Sequence, residues 1–334
     1  MTLRAGAIRF NTDPMQMEIY DGNQWTGILA TSPELQTGGG RGVFFGGAPT
    51  NNAAIDFINI STTGNAQDFG DMASHRVQGA AAGSRTRGLY VGGEDPSIVN
   101  TIEFITFSST GTNAQNFGDM VTNQYRRMNG MGCGNQTRGL FSGGWTGSAT
   151  SNHIDYVTIA QTGNSVDFGD LSVNRESGSC CASQTRGIIH GGRNQPANAA
   201  LDSIDYVTIS TLGDAADFGN LTDGRFAMQS CSNSIRGITF AGKIPSNSTI
   251  IDFITMATLG DSADFGDTIG AMEYPLGAVA SPTRAVCGGG IVSPSNINTI
   301  QYVQIMSAGN TIDFGDLTGA KSEASGCSNS HGGI

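Results

Sequence analysis

Recurring copies of Asp-Phe-Gly, among them those at Asp167, Asp217, Asp264 and Asp313, offer the carboxylate that holds magnesium in protein kinases. No glycine-rich phosphate loop or His-Arg-Asp string accompanies them, and a tripeptide that recurs so often reads as scaffold. A second acid lies three residues on, pairing Asp68 with Asp71, Asp167 with Asp170, Asp264 with Asp267 and Asp313 with Asp316. Calcium takes such oxygens but needs about six to eight of them, and a pair supplies too few. Glycosidase chemistry needs one distinctive carboxylate pair at a cleft, whereas these are everywhere. Their expected work is turn capping and ion pairing between repeats, with Arg87, Arg138 or Arg186 as partners.

Thiols and imidazoles are the other reactive groups. Cys133, Cys181, Cys231 and Cys327 occupy one equivalent place in an internal repeat, Cys180 adjoins one of them, and Cys287 stands apart. No Cys-x-x-Cys or zinc-like spacing occurs, and Ala82 and Val279 take the same place in other copies. A small buried hydrophobe is what that place asks for, and cysteine serves as one. His75, His153, His190 and His331 follow no repeated spacing, and no convergent set of Tyr, His and Cys for a copper centre can be assembled. The expectation is a protein with no catalytic residues, no metal and no cofactor.

Composition narrows the architecture. Glycine makes up 49 of 334 residues, only 13% of residues are charged, and the net charge is −11. That sign argues against a nucleic-acid partner, which wants a basic stripe. No apolar run reaches the roughly 18 to 20 residues of a membrane span, and Met1 to Gly22 lacks the apolar centre of a signal peptide. Free thiols and folding in a reducing cytoplasm are therefore expected.

The elements that position these residues repeat six times. Arg41, Arg87, Arg138, Arg186, Arg236 and Arg284 each open an Arg-Gly-x-x-x-Gly-Gly segment or a looser copy, at spacings of 46, 51, 48, 50 and 48 residues. An Ile-Asp-Tyr-Val string such as Ile154 to Val157 follows, and then Asp-Phe-Gly after a turn such as Thr162-Gly163-Asn164. Each unit reads as four strands: a small-residue strand, the arginine strand, the alternating Ile-Asp-Tyr-Val strand and the Asp-Phe-Gly strand. Four-stranded units of this length, repeated radially, are propeller blades. The first copy lacks its small-residue strand, and Ser325 to Ser330 supplies a near copy of Gln229 to Ser234 at the other end. The chain is thus read as all-β: a six-bladed β-propeller over 41–334, closed by its C-terminal strand, after an N-terminal β-hairpin module over 1–40. The equivalent cysteines are expected around the channel wall.

The diglycines Gly92-Gly93, Gly143-Gly144 and Gly191-Gly192, with Arg76, Arg126, Arg175 and Arg225 downstream of successive Asp-Phe-Gly-type motifs, resemble the kelch family of β-propellers. Phenylalanines from Phe69 to Phe314 stand where kelch repeats place tryptophan. The resemblance implies a kelch-like propeller and leaves the activity open. Before it, Ile8-Arg9-Phe10-Asn11-Thr12-Asp13 leads through Pro14 to Glu18-Ile19-Tyr20-Asp21-Gly22 and Trp25, a hairpin with an aromatic anchor. This pattern is similar to a short module of tailed-phage fibre and virion structural proteins. That likeness implies attachment to other virion proteins through Arg9, Phe10, Tyr20 and Trp25, a homo-oligomer such as a fibre trimer, and residence in the virion after synthesis in the host cytoplasm. Thr31 to Gly40 reads as a connector.

What varies between copies points to binding. The segments after the diglycines differ in length and content, and strand alternation brings them to one face with the loops that carry Tyr125, Arg126 and Tyr274. The turns of the opposite face are short and nearly uniform. Diversity gathered on one face of a rigid scaffold is how binding surfaces are built. Trp145, Arg193, Asn194, Tyr125, Arg126 and Tyr274 are the expected ligand-binding residues, exposed to stack on or hydrogen-bond a host surface glycan or protein. The sequence-level reading is a non-enzymatic phage structural protein, tail fibre, tail tip or capsid decoration. The alternative is an intracellular kelch-like interaction module or a sugar-acting propeller enzyme.

Overall fold

The computed structural model describes residues 4, 6–11, 16–20, 22–28, 40–49, 53–94, 97–121, 131–195 and 197–334. The chain divides into two compact units, Met1–Gly39 and Gly40–Ile334. All named elements are β-strands, and no helix is long and apolar enough to cross a membrane among the described residues.

The first unit is a three-stranded antiparallel sheet of Ile8–Asn11, Gln16–Tyr20 and Trp25–Ile28. The third strand was not legible as one, because four residues interrupted by Gly27 give too short an alternation to count. Arg9 donates to the Glu18 carboxylate from Nε at 2.8 Å and NH2 at 2.7 Å, and its guanidinium lies 4.2 Å from the Trp25 ring centroid. Tyr20 meets Trp25 at 5.4 Å. One side of the sheet is thus held by its own side chains. Ile8 and Ile19, directly paired on the other side, are 58% and 37% exposed.

The second unit is a six-bladed β-propeller. Its blades are numbered by their arginine strands: Arg41–Phe45, Arg87–Val91, Arg138–Ser142, Arg186–His190, Arg236–Phe240 and Arg284–Gly288. Each is the second strand of a four-stranded antiparallel meander. The innermost strands Ala80–Gly83, Gly132–Gly134, Ser179–Ala182, Gln229–Ser232, Gly277–Ala280 and Ser325–Ser328 neighbour one another in a closed ring. Ser325–Ser328 pairs with Arg41–Phe45, setting Cys327 opposite Val43 and Gly326 opposite Phe44, so the C-terminal strand completes blade 1.

The outermost strands are sewn to the next blade all the way round. The Asp-Phe-Gly strand accepts hydrogen bonds from the following blade's hairpin turn, as in Gly213 N to Phe168 O at 2.9 Å and Ala215 N to Asp170 O at 2.7 Å. The seam from blade 6 to blade 1 is the same: Gly64 N to Phe314 O at 2.8 Å and Ala66 N to Asp316 O at 2.7 Å. The glycine of Asp-Phe-Gly is required by this approach. Gly169 has φ +148°, and a Cβ there would stand 2.5 Å from Gly213 O.

Both faces of every blade are covered by neighbours, which changes the expected half-buried strand. In His153–Thr158, Ile154 and Asp155 point to opposite faces and both are buried. The acids of this position are instead the buried halves of ion pairs. Arg76 NH2 lies 2.8 Å from Glu103 Oε2, Arg175 NH2 lies 3.0 Å from Asp205 Oδ2, and Lys321 Nζ lies 3.1 Å from Asp56 Oδ1. Arg225 meets Asp252 in the same way.

Candidate functional site

The expectation that Arg87, Arg138 and Arg186 pair with the Asp-x-x-Asp acids is corrected. Each blade-opening arginine instead crosses to the next blade and donates to a backbone carbonyl, from Arg41 to Phe107 O and onward to Arg284 with Ile60 O, at 2.5–3.3 Å. Each guanidinium also covers an aromatic ring of its own blade, as Arg138 does Tyr156 at 4.6 Å. That ring meets the Asp-Phe-Gly phenylalanine edge-on at 5.8–6.0 Å in all six blades. The turn caps come from the neighbouring hairpin, as in Asp170 N donating to Asp214 Oδ1 at 3.0 Å.

Cys133, Cys181, Cys231 and Cys327 line the channel as expected, and the sulfurs of Cys133, Cys181 and Cys327 reach from it into the blade interfaces. Cys181 Sγ lies 2.8 Å from where a Cβ on Gly237 of blade 5 would stand, and Cys327 Sγ lies 3.0 Å from the same point on Gly88 of blade 2. In a blade the channel is flanked by a strand edge, so side chains of the innermost strand alternate between the two blade interfaces. All six thiols are buried and free, and burial pushes those of Cys181, Cys231, Cys287 and Cys327 up. No group of three His, Cys, Asp or Glu able to hold a metal occurs among the described residues.

The variable loops form a pre-ordered face. In five blades the residue after the diglycine, or after Ala241-Gly242, bridges back to the segment entering the innermost strand: Glu94 with Val77, Arg193 with Glu176, Lys243 with Phe226, Ile291 with Glu273 and Ala48 with Ser322. Inside these bridges runs a collar of backbone hydrogen bonds from blade to blade: Ala227 N to Ser177 O, Tyr274 N to Ala227 O, Glu323 N to Tyr274 O and Gln78 N to Glu323 O, at 2.6–3.4 Å. All five residues have φ between 49° and 62°.

Side chains tie the loops across blades as well. Arg193 Nε donates to Glu176 Oε1 at 2.9 Å, and its guanidinium lies 4.8 Å from the Phe226 ring of blade 5. Lys243 Nζ of blade 5 lies 2.8 Å from Glu273 Oε2 of blade 6. Thr150 donates to Asn194 Oδ1 at 3.2 Å, Asn247 Nδ2 to Ile291 O at 3.0 Å and Asn296 Nδ2 to Ala48 O at 3.0 Å. Burial raises the Tyr274 phenol, the Arg193 charge opposes that, and Glu323, Glu273 and Glu176 add to it. The centre of the face therefore collects a phenol, three carboxylates and a guanidinium.

Of the expected ligand-binding residues, Trp145, Arg193, Asn194 and Tyr274 all lie on this face. They are half-buried rather than freely exposed, because each loop leans on the next. Tyr125 and Arg126 lie outside the described residues, as does most of the connector, and the Phe10 side chain is not described. Sequence reasoning missed Gln78, Glu176, Phe226, Lys243, Glu273 and Glu323. Their signal was positional, two to four residues before an innermost strand or just after a diglycine-like pair, with no shared residue type. No protein-family model matches the chain, and no curated protein matches it.

Proposed function

We propose that the chain is a non-enzymatic structural protein of a tailed-phage virion, whose propeller presents its loop face to a host surface glycan or protein. The observation that carries this is the contrast between two ends of one scaffold. Turns on one face repeat from blade to blade, while the other face combines unlike loops locked by cross-blade hydrogen bonds and ion pairs. A surface ordered before binding loses little entropy on binding. The half-buried Trp145 and Tyr274 supply apolar bodies with polar tips, and the surrounding Glu, Arg, Lys and Asn side chains supply hydrogen bonds.

The N-terminal sheet attaches to other virion proteins, as a tail fibre, tail tip or capsid decoration, and the propeller assembles as a homo-oligomer such as a trimer. The likeness of the Arg9 to Trp25 segment to virion modules supports this. Arg9, Tyr20 and Trp25 brace one side of the sheet, so contact falls to the exposed Ile8 and Ile19. The net charge of −11 speaks against nucleic acid as partner. Deletion of residues 1–40 is expected to leave the propeller folded and absent from assembled particles; normal incorporation overturns the attachment reading. Trp145→Ala is expected to weaken binding to host surface glycans or proteins at least tenfold, and unchanged binding overturns the loop-face reading.

A further inference from the structure

After the closing strand, residues 329–334 turn into the mouth of the channel on the uniform face and touch all six blades. Asn329 exchanges hydrogen bonds with Arg41 of blade 1, its N–H to Arg41 O at 3.1 Å and its Oδ1 accepting from Arg41 N at 2.8 Å. Ser330 Oγ donates to Ala280 O of blade 6 at 3.1 Å, and Gly332 N donates to Ser232 O of blade 5 at 2.7 Å. His331 Nε2 meets Gly83 O of blade 2 at 2.8 Å. A Cβ on Gly332 would overlap Asn233 O and approach Ala182 O of blade 4 at 2.8 Å, and one on Gly333 would overlap Gly134 O of blade 3. Two glycines in succession are what let the chain pass so close to the carbonyls of blades 3, 4 and 5.

His331 is the only titratable side chain in this segment, and its two nitrogens have fixed roles. Nε2 faces a carbonyl and must donate, while Nδ1 accepts from Gly333 N at 3.0 Å. The imidazole is therefore neutral with its proton on Nε2. An imidazolium would set an N–H at Nδ1 against the Gly333 N–H, with no acceptor between them. The channel beside His331 is lined by the innermost-strand residues Cys133, Cys181, Cys231, Cys327, Ser232 and Ser328, and no carboxylate is among the described lining residues. The arginines of the adjoining turns reach outward to carbonyls of the next blade, and Arg85 is exposed. Burial moves the imidazole down to about 4, opposed only by the Gly83 hydrogen bond.

We infer that residues 329–334 form a proton-released plug: neutral His331 holds them across the channel mouth, and protonation frees them while the blades stay in place. This goes beyond the proposed function and stands whether or not the loop face binds a host.

The test is hydrogen exchange of the full chain from pH 7 to pH 3.5, with amide protection followed peptide by peptide and corrected for intrinsic rate. Protection of residues 329–334 is expected to fall at least tenfold with a midpoint near pH 4, ahead of the outer strands. His331→Gln, whose amide can donate to Gly83 O and accept from Gly333 N without titrating, is expected to keep that protection. Loss at the same pH in His331→Gln, or no loss in the wild type, overturns the proposal. Should the variant fold poorly, 15N shifts of the wild-type imidazole decide: the Nε2–H tautomer at neutral pH supports the plug, and the Nδ1–H tautomer overturns it.

Discussion

At the scale of single residues, the fold depends on places where only one side-chain size or charge state fits. Gly169 is such a place, since its φ of +148° and the approach of Gly213 O at 2.5 Å leave no room for a Cβ. Gly169→Ala is expected to cost about 2–4 kcal/mol, from strained backbone plus a parted blade seam. Urea unfolding should show a lower midpoint with unchanged slope. His190 sets a charge limit instead. It is fully buried at the interface of blades 4 and 5, with Nδ1 3.3 Å from Ser230 Oγ, and burial followed by the Arg175 and Arg225 charges moves it down to about 3. A folded value below the unfolded one of about 6.5 means that the native state prefers the neutral ring. This stability is fully present above about pH 6.5 and is lost as pH falls through 3, by about 5 kcal/mol in all. Blade 5 carries Phe240 at the same register, so His190→Phe should flatten the pH dependence of unfolding between pH 6 and 4, leaving the part due to His331. The Asp-Phe-Gly glycines were visible in the sequence because a glycine kept at one place in copy after copy marks a backbone that has no room for a Cβ. The charge state of His190 was not, because nothing local marks a strand residue as sealed from water on both faces.

At the scale of the blade, the repeated Ile-Asp-Tyr-Val strand was legible and the partner of its acid was not. Asp205 pairs with Arg175, which lies 30 residues before it and outside any of the repeated strings. Arg175 also holds Gly191 O at 3.1 Å and Ser203 O at 3.0 Å, so one buried cation pins the root of a variable loop. Blade 6 shows the exchange that such a pair permits. There Gln301 replaces the acid and Met272 the cation, with Gln301 Nε2 3.8 Å from Met272 Sδ. A buried pair is costly to halve and much cheaper to replace whole. Arg175→Met alone is expected to destabilise by about 3–5 kcal/mol, and Asp205→Gln added to it should recover at least half. A double-mutant cycle by urea unfolding measures the coupling, and additive losses would mean that the pair acts as two independent hydrogen-bonding groups. The collar escaped sequence reading for a related reason. Gln78, Ser177, Ala227, Tyr274 and Glu323 share a left-handed backbone but no residue type, since ring closure imposes the conformation rather than turn chemistry.

At the scale of the whole molecule, the ring closes with no special seam. Asn329 Oδ1 accepts from Arg41 N at 2.8 Å, just as Asn233 Oδ1 accepts from Arg236 N at 2.7 Å inside the unbroken blade 5. Their backbone bonds match too, Asn329 N to Arg41 O at 3.1 Å and Asn233 N to Arg236 O at 3.0 Å. Blade 5 passes from that asparagine to its arginine through Ser234 and Ile235, and blade 1 offers Ser330 and Gly40 in the same places. Joining Ser330 directly to Gly40 therefore recreates an existing turn. A permuted propeller running 319–330 and then 40–318 keeps Lys321 on Asp56 and Thr318 on the same carboxylate, and cuts only an exposed loop. It should fold to the same structure as the unpermuted 40–330 propeller. Its midpoint should be at least as high, because the closing strand is then held next to Arg41–Phe45 by a turn instead of a chain-long loop. Thermal unfolding of the two proteins, neither carrying residues 331–334, isolates the closure from the plug. If the permuted chain aggregates or melts well below its counterpart, then blade 1 depends on the order in which its strands arrive, and closure by the last strand is a step of folding as well as a feature of the finished ring.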